Sequence, residues 1–209
     1  MSKSQAAAFT AYHRHGFVRV ATCTPHVRPA DVAFNRDSLL DEMRRADAAR
    51  VDLLVCPELS LSSYAIDDLH MQDALLNAVE EALGVLVEAS AEMTPVILLG
   101  APLRREGRLY NCAVVISRGQ VLGAVPKSYL PNYREFYEKR WFAHGRDTGG
   151  EITVAGRRAP FGDDLIFEAT DLPGMIFHAE ICEDLWTPAP PSSEAALGGA
   201  LILANLSAS

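Results

Sequence analysis

Three residues far apart in the chain, Glu58, Lys127 and Cys182, each follow a short apolar run. Glu58 comes after Val51-Asp52-Leu53-Leu54-Val55-Cys56-Pro57. Lys127 comes after Val121-Leu122-Gly123-Ala124-Val125-Pro126, and Cys182 after Met175-Ile176-Phe177-His178-Ala179-Glu180-Ile181. Runs of this kind read as buried strands. Open α/β sheets gather functional groups beyond the carboxyl ends of their strands, so a carboxylate, an amine and a thiol can meet at one edge. Together they can attack an amide carbonyl.

A cysteine with an ordinary pKa of about 8.5 is mostly thiol at neutral pH. An ammonium beside it favours the ionised sulfur, and a carboxylate in reach takes the proton. Cys182 is therefore the candidate nucleophile, Glu58 the candidate general base and Lys127 the candidate cation. The oxyanion of the tetrahedral intermediate would sit against Lys127 Nζ and the Glu183 backbone N–H. Loss of ammonia would leave a thioester. Glu58 would protonate the departing nitrogen and then deprotonate the hydrolytic water. Glu135 and Glu138 are both available to orient Lys127. Taken singly, each residue has a plainer reading: a core cysteine, a loop carboxylate, a solvated lysine. Cys23, Cys56 and Cys112 read as core hydrophobes. The six histidines show no ligand spacing, and no metal is expected.

The elements that must position these groups alternate early in the chain. Phe17–Cys23 reads as an opening strand. Asn35 or Asp37 is placed to cap a helix reaching about Arg50, with Leu39, Leu40 and Met43 on its buried stripe. Val51–Pro57 is the next strand. A second helix starts near Asp67 and Asp68, with Leu75, Leu76, Val79, Leu83, Leu86 and Val87 at helical spacing. Pro95–Ala101 is a strand, and Leu109–Ser117 with Gln120–Pro126 is a hairpin about Arg118-Gly119. Residues 128–163 read as loop, rich in aromatics from Tyr129 to Phe142. Leu165–Glu168 and Gly174–Cys182 are strands. Ser192 or Ser193 caps a short helix, Glu194–Leu197, and Ala200–Leu206 is a last strand. The pattern predicts an α/β sandwich with helices covering sheet faces. A final buried strand with no helix after it leads us to expect an N-terminal piece of a longer protein.

The 209 residues are 49% hydrophobic, enough for a sizeable core, and carry a formal charge of −8. Lys and Arg are scattered, so neither nucleic acid nor an anionic membrane is an expected partner. Residues 1–15 lack the apolar core of a signal segment. The longest apolar runs are strand-sized, and widely spaced cysteines fit a reducing, cytoplasmic setting.

Three blocks resemble the nitrilase (carbon–nitrogen hydrolase) superfamily. They are Cys56-Pro57-Glu58-Leu59-Ser60-Leu61-Ser62-Ser63-Tyr64, Pro126-Lys127-Ser128-Tyr129-Leu130-Pro131, and Glu180-Ile181-Cys182-Glu183-Asp184-Leu185-Trp186. The stretch from Lys127 to Arg140 is also similar to the lysine block of glutamine-dependent NAD⁺ synthetases. So are Glu180–Trp186, Asn205–Ser209 and the opening Tyr12–Val20.

The resemblance implies a four-layer αββα sandwich, cut short at its C-terminus, with residues 1–209 forming one glutamine amidohydrolase domain. It implies a Glu58–Lys127–Cys182 triad, with Glu138 rather than Glu135 as the supporting carboxylate. Tyr64, Tyr133, Glu183 and Ser209 become candidates for the glutamine pocket, with Glu183 pairing the substrate α-ammonium. Ammonia would feed a synthetase domain in cis, which would need ATP and Mg²⁺, while the hydrolase itself needs no cofactor. A homo-oligomer is expected by the same likeness. A stand-alone amidase and a catalytically idle docking scaffold are the rival readings. One departure stands out. The family's L-S-G-Y turn reads Leu61-Ser62-Ser63-Tyr64, and Ser tolerates a positive φ less readily than Gly.

Overall fold

The computed structural model describes residues 11–208. A seven-stranded sheet runs in the order β1-β2-β3-β4-β5-β7-β6, and a three-stranded sheet in the order β10-β9-β8. Their strands are β1 (Val20–Thr22), β2 (Leu53–Val55), β3 (Val96–Arg105), β4 (Arg108–Ser117), β5 (Gln120–Pro126), β6 (Gly149–Val154), β7 (Arg157–Gly162), β8 (Phe167–Glu168), β9 (Ile176–Ile181) and β10 (Ile202–Leu206). The helices are α1 (Val32–Ala48), α2 (Asp73–Ala89) and α3 (Pro191–Leu197). β1, β2 and β3 are parallel, β3-β4-β5 is an antiparallel meander, and β9 and β10 are parallel.

Residue alternation along β3 and β4 explains the layering. Ile97, Leu99, Ala101 and Leu103 face the core under α1 and α2, as do Cys112, Val114 and Ile116. The intervening Leu98, Ala113 and Val115 face Phe177, Ala179, Ile181 and Leu206 of the small sheet. Strands buried on both faces read as continuous apolar runs, because neither face needs polar side chains. α3 lies outside the small sheet, where the backbone N–H of Ser192 donates to Glu180 at 3.1 Å. The layers are therefore helix, sheet, sheet, helix: a mixed α/β sandwich.

Several expected boundaries move. α1 is capped by Asp31, which accepts from Phe34 N at 3.1 Å, and not by Asn35 or Asp37. Asn35 is buried and tied to the Arg28 backbone and Leu61 O, so tertiary contacts consume its polar atoms. The second helix splits into a 3-10 turn, Asp67–Met71, and α2. α3 starts at Pro191, without a serine cap. Proline suits a first helical position, where no N–H is needed. The opening strand shrinks to Val20–Thr22 and the strand expected from Leu165 to Phe167–Glu168. The largest change is in the expected loop, which contains the β6–β7 hairpin. Its outward faces are polar, so only Ile152, Val154, Ala159 and Phe161 enter the core and the apolar signal is thin.

Candidate active site

β5 runs antiparallel to β4 and β4 antiparallel to β3, so the carboxyl ends of β2 and β5 lie on one edge of the large sheet. Glu58 leaves that edge after β2. Its turn is fixed by Gly100, whose carbonyl accepts from Leu61 N and Ser60 Oγ, each at 3.3 Å. A Cβ on Gly100 would lie 2.3 Å from Pro57 O and 2.4 Å from Leu59 N, so only glycine lets β3 pass this close beneath Glu58. Lys127 follows β5, with its N–H bonded to Asn111 O at 2.8 Å. Cys182 follows β9 and opens a 3-10 turn with φ +46°. This left-handed value is unfavourable for a side-chain-bearing residue, and the turn around it holds it in place.

Asp184 supplies much of that hold. Its carboxylate accepts from Ile181 N at 3.0 Å, Tyr129 N at 2.7 Å and Ser128 N at 3.4 Å. It thereby fastens the Cys182 turn to the chain just after Lys127. Burial pushes the Asp184 carboxyl up to about 8, against the pull of the Ile181 N–H.

The charged centre is a buried chain of short bonds. Lys127 Nζ donates to Glu58 Oε1 and to Glu138 Oε1, each at 2.7 Å, with all three side chains fully covered. Tyr64 OH donates to Glu138 Oε1, and Asn111 Nδ2 to Glu58 Oε1, also at 2.7 Å. Burial alone would drive the Lys127 ammonium down, but the Glu58 and Glu138 carboxylates outweigh it and hold it above its ordinary range. Burial lifts the Glu138 carboxyl, and Lys127 opposes that lift. Burial, with Glu138 beside it, raises the Tyr64 phenol, which stays a neutral donor. Cys182 lies within electrostatic reach of Tyr64 and Tyr133, and Ser207 Oγ is 3.5 Å from its sulfur.

Of the two carboxylates open to Lys127, Glu138 is buried beside it and Glu135 is exposed. Tyr133 OH meets Glu183 at 2.9 and 3.1 Å on the exposed side of the Cys182 turn. Ser209 lies outside the described residues. The aromatic segment is pinned to the 3-10 turn after Tyr64. Arg140 grips Asp68 through Nε at 2.6 Å and a terminal nitrogen at 2.8 Å, Trp141 Nε1 donates to Asp68 at 2.9 Å, and Tyr137 OH donates to Asp67 at 3.0 Å. Ser63, in the departing turn, has φ +72°, the conformation in which glycine is favoured. Sequence reasoning passed over Asn111 and Asp184. Asp184 was within reach, because a carboxylate two residues after a strand-end cysteine sits where it can bond that strand's last N–H. Asn111 gave no such signal.

The arrangement sets a cysteine on a left-handed turn that Asp184 ties to the segment following Lys127, whose ammonium is buried between two carboxylates. The family model for carbon-nitrogen hydrolase matches residues 19–209. The chain belongs to the carbon–nitrogen hydrolase family. It is 55% identical to the glutamine-dependent NAD(+) synthetase of Mycobacterium tuberculosis (strain ATCC 25618 / H37Rv), over 96% of this chain and 30% of that protein. It is 32% identical to the corresponding synthetase of Aquifex aeolicus, over 86% of this chain and 28% of that protein. This carbon–nitrogen hydrolase chain thus spans less than a third of the length of those relatives. Among solved structures, the glutamine-dependent NAD(+) synthetase of Cytophaga hutchinsonii superposes with a TM-score of 0.77 at 29% identity, covering 92% of this chain and 30% of that one. A Nesterenkonia AN1 amidase of the nitrilase superfamily superposes at 0.68 with 22% identity, over 91% of this chain and 64% of that one, a likeness of fold alone.

Proposed function

We propose that this chain is a glutamine amidohydrolase that hydrolyses the side-chain amide of glutamine to glutamate and ammonia. The observation that carries the reading is the fully buried Glu58–Lys127–Glu138 chain at 2.7 Å beside the Cys182 turn. Taking a lysine and two carboxylates out of water carries a large desolvation cost, so stability alone accounts poorly for them. Here the ammonium can stabilise a thiolate and then an oxyanion.

Cys182 attacks the amide carbon and its proton passes to Glu58. Lys127 Nζ and the Glu183 N–H receive the oxyanion. Glu58 returns the proton to the leaving nitrogen, ammonia departs and a thioester remains. Water deprotonated by Glu58 then releases glutamate. Glu138 holds Lys127, and Tyr64 holds Glu138. Tyr133 and Glu183 form the mouth, where a carboxylate suits the α-ammonium of a free amino acid. That favours glutamine over simple aliphatic amides. Ser209 is a further candidate for this pocket.

The 55% identical mycobacterial synthetase supports a place for this unit in NAD⁺ formation. In that reading the ammonia passes to a synthetase domain in cis that uses ATP and Mg²⁺. The setting is cytoplasmic and the assembly a homo-oligomer. No helix among the described residues is long and apolar enough to cross a membrane. The test is ammonia and glutamate release from glutamine, set against release from aliphatic amides, with mass-spectrometric mapping of a glutamine-mimicking electrophile. Glutamine-dependent release lost in Cys182→Ala, with label on Cys182, is the expected result. Turnover of aliphatic amides only would overturn the substrate, and turnover by a folded Cys182→Ala protein would overturn the mechanism.

A further inference from the structure

We infer that Asn111 is a positioning residue that selects which oxygen of Glu58 acts as the base, reserving Oε2 for the thiol proton. The inference rests on the thiol-hydrolase reading above and adds a residue to it. Asn111 lies near the start of β4 and is 1% exposed. It holds both partners of the central ion pair. Its carbonyl receives the Lys127 backbone N–H at 2.8 Å, and its Nδ2 donates to Glu58 Oε1 at 2.7 Å. Lys127 Nζ donates to the same oxygen at 2.7 Å. Oε1 thus carries two donors, one of them charged, while Glu58 Oε2 is buried with no hydrogen-bond partner among the described residues.

The two oxygens of one carboxylate are thereby made unequal. An oxygen that accepts an ammonium and an amide N–H has little density left for a further proton, whereas the bare oxygen has both lone pairs. The terminal torsion of a glutamate is broad and close to two-fold. Lys127 alone would leave the plane of the carboxylate free to twist. A second donor on the same oxygen fixes that plane, so one oxygen position is always loaded and the other always bare. Asn111 also has a cost that a packing residue would avoid. With its amide nitrogen turned to the carboxylate, its Oδ1 is buried and unpartnered. A buried unpaired acceptor is unfavourable, so packing alone does not call for this amide, and what asparagine adds is the donor.

The test reads thiol ionisation directly, without glutamine. The full 209-residue chain is alkylated with iodoacetamide from pH 5 to 9, and the rate at Cys182 is followed by peptide mass spectrometry beside those at Cys23, Cys56 and Cys112. In this step the Cys182 S–C bond forms, iodide leaves and the thiol proton goes to Glu58. Asn111→Leu keeps the shape and the backbone bond to Lys127 but removes the donor. Its rate at Cys182 should fall about tenfold at pH 7, because the carboxylate that takes the thiol proton is no longer held in place, while the rates at Cys23, Cys56 and Cys112 stay as in wild type. The melting temperature should fall by only a few degrees, since one bond to a buried carboxylate is lost and one buried unpaired acceptor is removed with it. Asn111→Asp places a second carboxylate against Glu58, and the pair must share a proton. It should label at least tenfold more slowly at pH 7.

Labelling of either folded variant with the wild-type rate and pH profile would overturn the proposal. Loss of the fold in both would also overturn it, by making Asn111 a structural residue. A wild-type Cys182 no faster than the core cysteines would instead sink the thiol-site reading itself, so the two failures are distinguishable.

Discussion

Replacing Lys127 by Met tests the buried charge chain directly. The substitution keeps the apolar stem and removes the cation that lies 2.7 Å from both Glu58 Oε1 and Glu138 Oε1. Two carboxylates then remain in a dry pocket. Removing one partner of a buried ion pair costs about 3–5 kcal/mol. Against a typical domain stability of about 5–15 kcal/mol, that is a large share. A domain of this size loses about 2–4 °C per kcal/mol, so the melting temperature should fall by roughly 6–20 °C at pH 8. The deficit should shrink in acid. Burial already lifts the Glu138 carboxyl and Lys127 opposes that lift, so without Lys127 it rises further. A carboxyl raised in the folded state binds a proton that the unfolded chain releases. Its contribution is full below the unfolded value of about 4.3 and fades as pH climbs through the folded value. The variant therefore regains stability between pH 8 and pH 5 relative to wild type. Adding Glu138→Leu should restore at least half of the loss, because apolar replacement of a buried pair is often neutral. The assay is thermal and urea unfolding of wild type, single and double variants at pH 5 and 8. A single-variant fall of under 2 °C at pH 8, or an equal deficit at both pH values, would refute the reasoning.

Glu58→Gln should slow both acylation and thioester breakdown by about 10²–10⁴-fold, and rapid-quench kinetics showing a normal thioester lifetime would contradict the dual role. Gly100→Ala drives a methyl into the Pro57–Leu59 backbone, 2.3 Å from the Pro57 carbonyl oxygen. It should destabilise by about 1–3 kcal/mol and cut turnover by about 10²-fold through displacement of Glu58, as read by urea melts and glutamine turnover. Ser63→Gly relieves the φ of +72°, and calorimetry should show a gain of about 1 kcal/mol.

The sequence by itself determined the strands that are buried on both faces. β2, β3, β4 and β5 are legible because their central residues are apolar on both faces, and β9 because Phe177, Ala179 and Ile181 recur at every second position. It also placed Glu58, Lys127 and Cys182 just after strands, and showed the family blocks around them. The β6–β7 hairpin stayed hidden because its outward face is polar and only alternate residues reach the core. The helix starts moved because Asn35 is drawn into contacts with Arg28 and Leu61, leaving Asp31 to cap α1.

Residue types left both Glu135 and Glu138 open to Lys127, the family likeness favoured Glu138, and the tertiary structure shows the physical reason. Glu135 and Glu138 are three residues apart, and the grip of Arg140, Trp141 and Tyr137 on the Asp67–Asp68 turn sets which of them points inward. It alone decided that Asn111 faces Glu58, because that contact spans 53 residues of chain. The charge centre is built from side chains on separate turns and loops, two of them leaving the ends of β2 and β5, and strand pairing, a long-range property, is what brings those ends together.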